Sequence, residues 1–412
     1  MKKENYWFAL KSHVYVEFKE ENILLYDTRQ GNRIESTSGE AIALIRQMYE
    51  PCNLGVIPVD GNMLSRPCIG EFVRQIVTKN MGDLTEREKC PQKPVRLLPI
   101  LNLQKDIDKY KGDEDKLVFF EKDIRKYLLE LNVYVNNACG ETCRHCNLIY
   151  KQVHCCTAGG AEKQELSAEN LKKLFEQLRY SPLRSVNVLG GNVLDYSHLA
   201  ELEQLASLYS KELHYYLHYK NYRPQAGSGP AKLELLVTFP VDETLFREVC
   251  LSVDKENTRL HYIIESDAHY HQAVTLQEKS GMAAHDFLPL FTGRNLDFFQ
   301  ENVFVDKEDL FGKILPMREI FRNKKLNSNF FGALYVLPDG TVKANMNALP
   351  VGNIQKDELL NLIQKELILN TAWRQIRDSH PCSACIYQFI CPPLSNYEKA
   401  IGQGNLCRLY KV

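Results

Sequence analysis

The amino-acid sequence predicts an α/β protein built around a parallel β-sheet, either open or closed into a barrel. From about residue 127, short apolar runs of strand length alternate with helical patterns, which is typical of parallel sheets crossed by helices. A separate hairpin pattern precedes this region, and an irregular, cysteine-rich stretch follows it. With 412 residues, the chain is expected to form two or three domains.

The bulk composition excludes some classes of partner. Apolar residues make up 44% of the chain, and the net charge of −1 gives no electrostatic reason to expect nucleic acid or an anionic membrane. The first residues, Met-Lys-Lys-Glu-Asn-Tyr, are not followed by an apolar stretch of signal-peptide length, and no run is long enough to span a bilayer. We therefore expect a soluble, cytoplasmic protein with no nucleic-acid or membrane partner.

Residues 1–84 are predicted to form a small α+β unit. The pattern over 13–27 alternates apolar and polar residues on both sides of the turn Lys-Glu-Glu-Asn, which predicts a hairpin. Helices are predicted from Ser38 and over 70–79, where apolar residues repeat at helical spacing. The charged stretch 85–126 contains several prolines and is predicted to be a linker.

Residues 127–324 carry the strand–helix alternation, and residues 325–412 form the irregular tail. Helices are predicted over 167–179 and near 196–211. Strands are predicted over 129–135, 185–189, 213–217, 233–238, 261–265, 287–291 and 303–305. Parallel sheets bind ligands at the carboxyl ends of their strands, and the first cysteine group and the pair Gly190-Gly191 both lie at such ends.

Three closely spaced cysteines follow the first of these strands. Cys139, Cys143 and Cys146 stand in the segment Cys-Gly-Glu-Thr-Cys-Arg-His-Cys, and three thiolates at this spacing can hold three irons of a [4Fe–4S] cluster. The fourth iron is then left without a protein ligand and can bind a small molecule. The alternative is a structural zinc site, although zinc sites more often pair cysteines as Cys-x2-Cys. Its fourth ligand would be His145, His154, Cys155 or Cys156.

The other cysteines divide into a second group and isolated residues. Of the thirteen cysteines, the group Cys-x2-Cys-x5-Cys near the end of the chain, with one later cysteine, has ligand spacing. Its members are Cys382, Cys385, Cys391 and Cys407. Zinc and an iron–sulfur cluster both suit four such thiolates. The isolated thiols are predicted to be small buried hydrophobes, and they are Cys52, Cys68, Cys90 and Cys250.

The first cysteine group resembles that of radical S-adenosylmethionine (SAM) enzymes. Cys-x3-Cys-x2-Cys after the first strand of a partial (β/α) barrel is the hallmark of that family, and the resemblance implies a SAM-binding [4Fe–4S] cluster at Cys139, Cys143 and Cys146. It also implies that the ring of His145 packs near the SAM adenine, and that Ser266, at a later strand end, contacts its ribose; a plain strand-end turn is the alternative for Ser266. The family's Gly-Gly-Glu-Pro segment, which helps to bind the methionyl group, corresponds to Gly190, Gly191, Asn192 and Val193.

The second group resembles the SPASM extension of peptide-modifying radical SAM enzymes, which holds two auxiliary [4Fe–4S] clusters. Here Cys382, Cys385, Cys391 and Cys407 correspond to the four ligands of the outer auxiliary cluster. Two ligand positions of the inner cluster are occupied by Asn345 and Ser395. The resemblance therefore implies one auxiliary cluster and no inner one.

The first unit resembles, in pattern and position, the small winged-helix domains that capture leader peptides. The whole chain thus resembles a radical SAM peptide maturase, which cleaves SAM reductively and abstracts hydrogen from a ribosomally synthesised precursor peptide. Implied partners are the precursor, an electron donor such as flavodoxin or ferredoxin, and as a further candidate a second radical SAM protein. One alternative is a catalytically silent, radical-SAM-like partner of an active maturase, and another is a zinc-stabilised peptide-binding protein. No general acid or base is predicted.

Overall fold

The computed structural model describes residues 5–99, 124–141, 143, 146, 148–155, 164–224 and 231–409. Two candidate ligands, His145 and Cys156, lie outside the described residues, as does most of the predicted linker. The strands, labelled in chain order, are β1 Asn5–Leu10, β2 Val14–Phe18, β3 Ile23–Asp27, β4 Arg33–Ser36, β5 Val56–Asp60, β6 Gly82–Glu86, β7 Glu130–Tyr134, β8 Ser185–Leu189, β9 Glu212–His218, β10 Lys232–Val237, β11 Thr258–Ile264, β12 His285–Pro289, β13 Ala333–Val336, β14 Thr341–Lys343 and β15 Pro350–Asn353. The α-helices are Gly39–Tyr49, Gly61–Ser65, Pro67–Thr78, Ala168–Leu178, Leu199–Leu208, Glu243–Ser252, Asp267–Ser280, Leu296–Asn302, Lys307–Phe311, Met317–Asn323, Leu359–Leu369 and Asn396–Ile401.

The first unit consists of two three-stranded antiparallel sheets and three helices around one core. The strand orders are β2-β3-β4 and β5-β1-β6, and the predicted hairpin is β2–β3, paired from Val14↔Asp27 to Phe18↔Ile23. The two predicted helices are present, one capped by the Ser38 side chain and one beginning at Pro67. Strand β6 pairs with β1 as far as Glu86, two residues past the boundary predicted at 84. The winged-helix identity of this unit stays a prediction.

The main sheet is a mixed, mostly parallel sheet of nine strands, in agreement with the predicted α/β class. Its order is β12-β11-β10-β9-β8-β7-β13-β14-β15. Strands β7 to β12 lie side by side in chain order and are parallel throughout. A doubly wound sheet reverses its order at a switch point, whereas these strands advance in one direction, as in a (β/α) barrel. Strands β12 and β15 are the two edges of this sheet, as a partial barrel requires.

Strand β13 shows that the sheet continues across the boundary predicted at 324. Ala333–Val336 pair in parallel with Glu130–Val133 of β7, on the side opposite β8. The tail predicted to be irregular also contains a helix, Leu359–Leu369, whose buried face packs on the core. The sequence missed β13 because it is only four residues long and its partner lies about two hundred residues earlier.

The two faces of the main sheet differ in chemistry. Outward-facing residues such as Leu131 and Val133 join one apolar core with Leu171 and Phe175 of the helix Ala168–Leu178. The inner face carries polar side chains instead, and they bond across neighbouring strands. Burial acts to raise the pKa of Glu234, but hydrogen bonds from His214 and His261 lower it to about 2. The inner face therefore carries a buried carboxylate that stays ionised.

Two other predictions are wrong. The strand predicted over 303–305 is absent, because Val303 ends the helix Leu296–Asn302 and Val305 makes an isolated bridge with Cys407. Cys52 and Cys68 are exposed, not buried, whereas Cys250 is buried as predicted and Cys90 is half-buried. None of the described helices is long and apolar enough to cross a membrane.

Candidate functional site

The first cysteine loop leaves the carboxyl end of β7 beside the end of β8. The Val135 amide donates to the Leu189 carbonyl at 2.8 Å, and Asn136 forms a bridge with Glu165 before the chain turns towards Cys139. Because β7 and β8 are parallel neighbours, their carboxyl ends bring the cysteine loop against Gly190-Gly191.

The two glycines allow the backbones of the two strand ends to touch. Gly190 has a φ of 141°, and a Cβ there would lie 2.5 Å from the Asn136 carbonyl oxygen. A Cβ on Gly191 would lie 1.9 Å from the Ala138 carbonyl oxygen, so only glycine fits without moving the stem of the cysteine loop. The predicted role of the pair was contact with SAM; its role in the described contacts is to support this loop.

Asn136, which the sequence reading did not single out, ties the two strand ends together. Its fully buried side chain accepts from the Gly191 amide at 2.8 Å and donates to the Asn192 carbonyl at 2.8 Å. The Asn192 amide in turn donates to the Ala138 carbonyl at 2.6 Å. The sequence did contain a signal for this role. Asn136 follows a buried strand, and a buried side-chain amide requires hydrogen-bond partners of its own.

The three thiols of the first group lie together. Cys139 and Cys143 are half-buried and Cys146 is buried. A hydrogen bond with Cys146, burial and the charges of neighbouring thiols, Cys155 foremost among them, raise the pKa of the Cys143 thiol. Several thiolates at such close range repel one another, so they ionise together only around a cation. Three thiolates match the ligands of an iron–sulfur cluster, which takes one thiolate per iron, but in the described residues their side chains are not arranged as a metal site.

Cys155, one of the alternative zinc ligands, lies close enough to the first group to act on Cys143. It packs against Leu236 and Ile263 at the carboxyl ends of β10 and β11. His154, an alternative zinc ligand, stacks instead on the rings of Tyr335 and Tyr216, with centroids 6.1 Å and 5.5 Å away. Within the described ranges, no set of three or more His, Cys, Asp or Glu side chains is arranged to hold a metal ion.

Asn192 and Ser266 occupy strand ends, as predicted, but their side chains cap local turns. The Asn192 amide group accepts from the Leu194 amide at 3.2 Å and donates to Asp195 at 2.7 Å. Ser266 caps the helix Asp267–Ser280 and accepts from the His269 amide at 3.3 Å. Ser266 therefore lies at a strand-end turn, and contact of Asn192 and Ser266 with SAM stays a prediction.

The second cysteine group is surrounded by hydrogen-bond donors. Cys382 and Cys385 are buried, and Cys391 and Cys407 are half-buried. The Tyr387 amide lies 3.4 Å from the Cys385 sulfur. Burial raises the pKa of Cys391 to about 12, although nearby Arg377 acts to lower it. Two buried and two half-buried thiols beside a cation match the chemistry of a metal or cluster site.

Arg377 links this group to the rest of the tail. Its guanidinium lies 4.0 Å from the Cys382 sulfur and 2.6 Å from the Glu398 carboxylate, and both charged groups are buried. The Asn405 side-chain amide also donates to the Cys407 sulfur at 3.2 Å. Charge-assisted donors of this kind favour the thiolate form of the sulfurs.

The two positions that lack cysteine are adjacent in space and carry hydrogen bonds. Asn345 is fully buried, and its amide donates to the Asn396 side chain at 3.0 Å. Ser395 precedes Asn396 and caps its helix, with its hydroxyl donating to Glu398 at 2.5 Å. The side chains that replace the two cysteines therefore serve as structural hydrogen-bonding groups.

Comparison with known proteins gives similarity of structure only. No family model and no curated protein matches the chain. Streptococcus suis SuiB bound to precursor peptide SuiA is similar, with a TM-score of 0.46, 11% identity and coverage of 97% of this chain and 98% of that chain. BtrN in complex with AdoMet and 2-DOIA gives a TM-score of 0.35 at 15% identity, covering 65% of this chain and 98% of BtrN.

A third similar structure is anSMEcpe with bound AdoMet, with a TM-score of 0.34, 12% identity and coverage of 67% of this chain and 95% of that chain. These similarities are of fold alone, since none of the three structures exceeds 15% identity with this chain. At TM-scores of 0.46 or less, a function has to be inferred from the residues of this chain.

Proposed function

We propose that the chain is a radical SAM enzyme that modifies a ribosomally synthesised precursor peptide. The observation that carries the proposal is the convergence of Cys139, Cys143 and Cys146 on one loop at the carboxyl end of β7. Three thiolates hold three irons of a [4Fe–4S] cluster, and the fourth iron stays open for a ligand. When bound there, the cluster and SAM supply an electron and a carbon radical able to abstract hydrogen from the peptide.

The chain's own residues hold and shield that site. Asn136 and the Gly190-Gly191 pair fix the stem of the cysteine loop, so the sulfur atoms are presented at a constant place on the sheet. Cys155 and Leu236 cover the inner side with apolar surface, which excludes water from a reactive radical. His145, whose ring we propose to lie beside the adenine, and Ser266 remain proposed SAM contacts.

The second cysteine group is proposed to hold an auxiliary [4Fe–4S] cluster as part of a SPASM-like tail. Its ligands would be Cys382, Cys385, Cys391 and Cys407, and the positive charge of Arg377 supports this because it offsets the charge of four thiolates. A cluster with four cysteine ligands has no open iron, so it would relay electrons or stiffen the tail. The electron donor would be a protein such as flavodoxin or ferredoxin.

The first unit is proposed to bind the leader of the precursor peptide. Strands β2 and β4 are the edges of their sheet, and an extended peptide can add to a sheet edge as another strand. The unit packs on the tail: Tyr15 and Tyr26 share an apolar cluster with Cys385 and Tyr387. A leader held there would emerge next to the second cysteine group.

A second candidate function is that of a catalytically silent partner that binds the precursor or an active maturase. Asn192 favours it, because this side chain stands where an acid would help to bind SAM and is bonded to Leu194 and Asp195 of its own turn. The cluster could then be present without the reaction.

Anaerobic reconstitution separates the candidates. We expect about eight irons per chain, and 5′-deoxyadenosine after SAM and dithionite are added. Replacing Cys139, Cys143 and Cys146 together by alanine should remove about half of the iron and all cleavage. The matched control is alanine at the exposed Cys52 and Cys68, which should change neither.

The other outcomes decide against the enzyme. Eight irons without SAM cleavage supports the silent partner. Zinc in both groups, with no iron, excludes both candidates. Cleavage that survives the triple alanine variant shows that the first cysteine group is not the SAM-binding site.

A further inference from the structure

A cavity of about 230 Å³ separates the first cysteine loop from the tail. One wall is the segment from Lys151 to His154, which leaves the loop. The second wall is formed by Tyr134 and Tyr335 on the neighbouring strands β7 and β13, and the third by Ser395–Tyr397 of the tail. The cavity therefore lies beside the position where an inner auxiliary cluster lacks its ligands.

The walls are joined by a continuous chain of hydrogen bonds. Asn345 bonds to Asn396, and its side-chain oxygen accepts from the Asn347 amide at 2.7 Å. The Asn347 side chain then holds the Lys151 backbone on both sides, accepting from its amide at 2.8 Å and donating to its carbonyl at 2.7 Å. The Lys151 ammonium donates to the Cys146 carbonyl at 2.7 Å. Lys151 is thus fixed at the boundary between cavity and cysteine loop.

The volume decides the size of the occupant. Pockets for whole small molecules span roughly 300–1,000 Å³, so a cavity of about 230 Å³ is too small for a molecule such as SAM. It exceeds the volume of a single water by about seven-fold, because each water takes about 30 Å³ of liquid. One amino-acid side chain fits this range.

The charged groups that line the cavity determine which kind of side chain it can bind. No carboxylate is among the lining residues, and Lys151 is the lining residue with a permanent charge. His154, another lining residue, stacks on Tyr335 and lies 3.7 Å from the Glu130 carboxylate, which is not part of the described lining. The ammonium uses one of its three N–H groups on Cys146. Two donors of a fixed cation, with no carboxylate among the described lining residues, are matched by a carboxylate ligand.

We propose that this cavity binds an aspartate or glutamate side chain of the peptide substrate through Lys151. The inference rests on the proposed function for the peptide and extends it to the substrate's chemistry. Because Lys151 also holds the Cys146 carbonyl, the bound acid places the neighbouring peptide carbons beside the first cysteine loop. Lys151 is a substrate-positioning residue in this proposal.

The test compares two probes on the full, reconstituted chain. Acetyl-Ala-Glu-Ala-amide and its neutral isostere acetyl-Ala-Gln-Ala-amide are titrated by calorimetry or ligand-observed NMR. We expect the glutamate peptide to bind about ten-fold tighter, the lower range for a charge-assisted hydrogen bond. Lys151→Met should abolish that preference, and Lys151→Arg should keep most of it. The matched control is Lys173→Met, since Lys173 likewise donates to a backbone carbonyl, that of Gln355, on the outer face of the barrel.

Each contrary result has one meaning. Equal binding of the two peptides by the unmodified chain, or binding of neither, overturns the proposal without any variant being needed. Loss of the preference in Lys173→Met overturns it too. Iron content and SAM cleavage are measured on the same preparations. A ten-fold preference for the glutamate peptide without SAM cleavage therefore supports the cavity assignment and argues against the proposed enzyme activity. SAM cleavage without that preference supports the enzyme activity and overturns the cavity assignment.

Discussion

The two cysteine groups are held by their surroundings in opposite ways. The first lies on a loop whose position depends on backbone contact with Gly190-Gly191, and Asn221 lies 3.7 Å from the Cys139 sulfur. The second is enclosed by the tail, with Arg377 and Asn405 directed at its sulfurs. A loop that is fixed at its stem leaves its sulfur atoms open to an incoming ligand, whereas an enclosed group of four thiols does not. On the proposed function, this difference corresponds to a reactive site in the first group and a structural or electron-carrying site in the second.

Gly191→Ala should have the largest effect on the difference between the two cysteine groups. The new methyl group would lie 1.9 Å from the Ala138 carbonyl oxygen, so the stem of the first loop has to move. We expect loss of about four of eight irons, with the second group retained. Iron analysis and the visible spectrum measure this. Gly140→Ala in the same loop is the control, since no atom of the described residues lies within 4 Å of the added methyl group. Full iron content in the Gly191 variant would show that the glycine contact does not position the cysteines.

Thiol reactivity in the iron-free protein should separate the groups from the isolated cysteines. Burial raises the pKa of Cys391 to about 12, and only the thiolate reacts with iodoacetamide. At pH 8 the thiolate fraction is about 1,000-fold below that of an unperturbed thiol with a pKa of 9.0. The rate at Cys391 should rise with pH up to about 12, and at pH 8 it should lie far below the rate at the exposed Cys52. Mass spectrometry of each site measures both rates, and equal rates at pH 8 would contradict the enclosed environment of Cys391.

Arg377→Met tests the charge that is enclosed with the second group. The substitution leaves Glu398 buried without its partner, and the removal of one member of a buried ion pair costs about 3–5 kcal/mol. We expect lower resistance to urea and faster loss of the second group's iron to a chelator, with the first group unchanged. Arg322→Met, which breaks an exposed pair with Glu319, should cost less than about 1 kcal/mol. A similar effect of both variants would refute the special role of Arg377.

Ser395→Ala should have the smallest effect. Ser395 caps the helix Asn396–Ile401 and bonds to Glu398, so its loss should destabilise the tail by about 1 kcal/mol. Iron content should stay the same, because Ser395 serves as a helix cap in the described contacts and is proposed not to hold a cluster. Thermal unfolding and iron analysis provide the two readouts, with exposed Ser379→Ala as control. Loss of iron would instead make Ser395 part of a cluster site.

The local part of the fold was predictable from the sequence. The hairpin β2–β3 shows alternation around a polar turn, and Ser185–Leu189 is an apolar run of strand length that ends at a glycine pair. Short-range signals of this kind depend on neighbouring residues, so a single sequence contains them. The parallel class followed from their repetition, and the described sheet confirms it.

Long-range contacts were not predictable. Strand β13 joins the sheet through β7, and nothing within Ala333–Val336 identifies that partner. The role of Cys155 was left open, because its proximity to Cys143 arises from the path of the chain after the loop. Asn136 lies beside the predicted motif, but its bonds to both strand ends depend on the packing of β7 against β8.

The pairing of β7 with β13 also constrains the order of biosynthesis. β7 has neighbours on both sides only when Ala333–Val336 have been synthesised, about two hundred residues after the strand that carries the first cysteine loop. Until then β7 is an edge strand on the growing chain, so the loop with the first cysteine group follows a strand that is paired on one side only. On the proposed function, the loop can take up its cluster on a complete sheet only after β13 has been synthesised, and a chain that stops before β13 would carry the loop on an unfinished sheet.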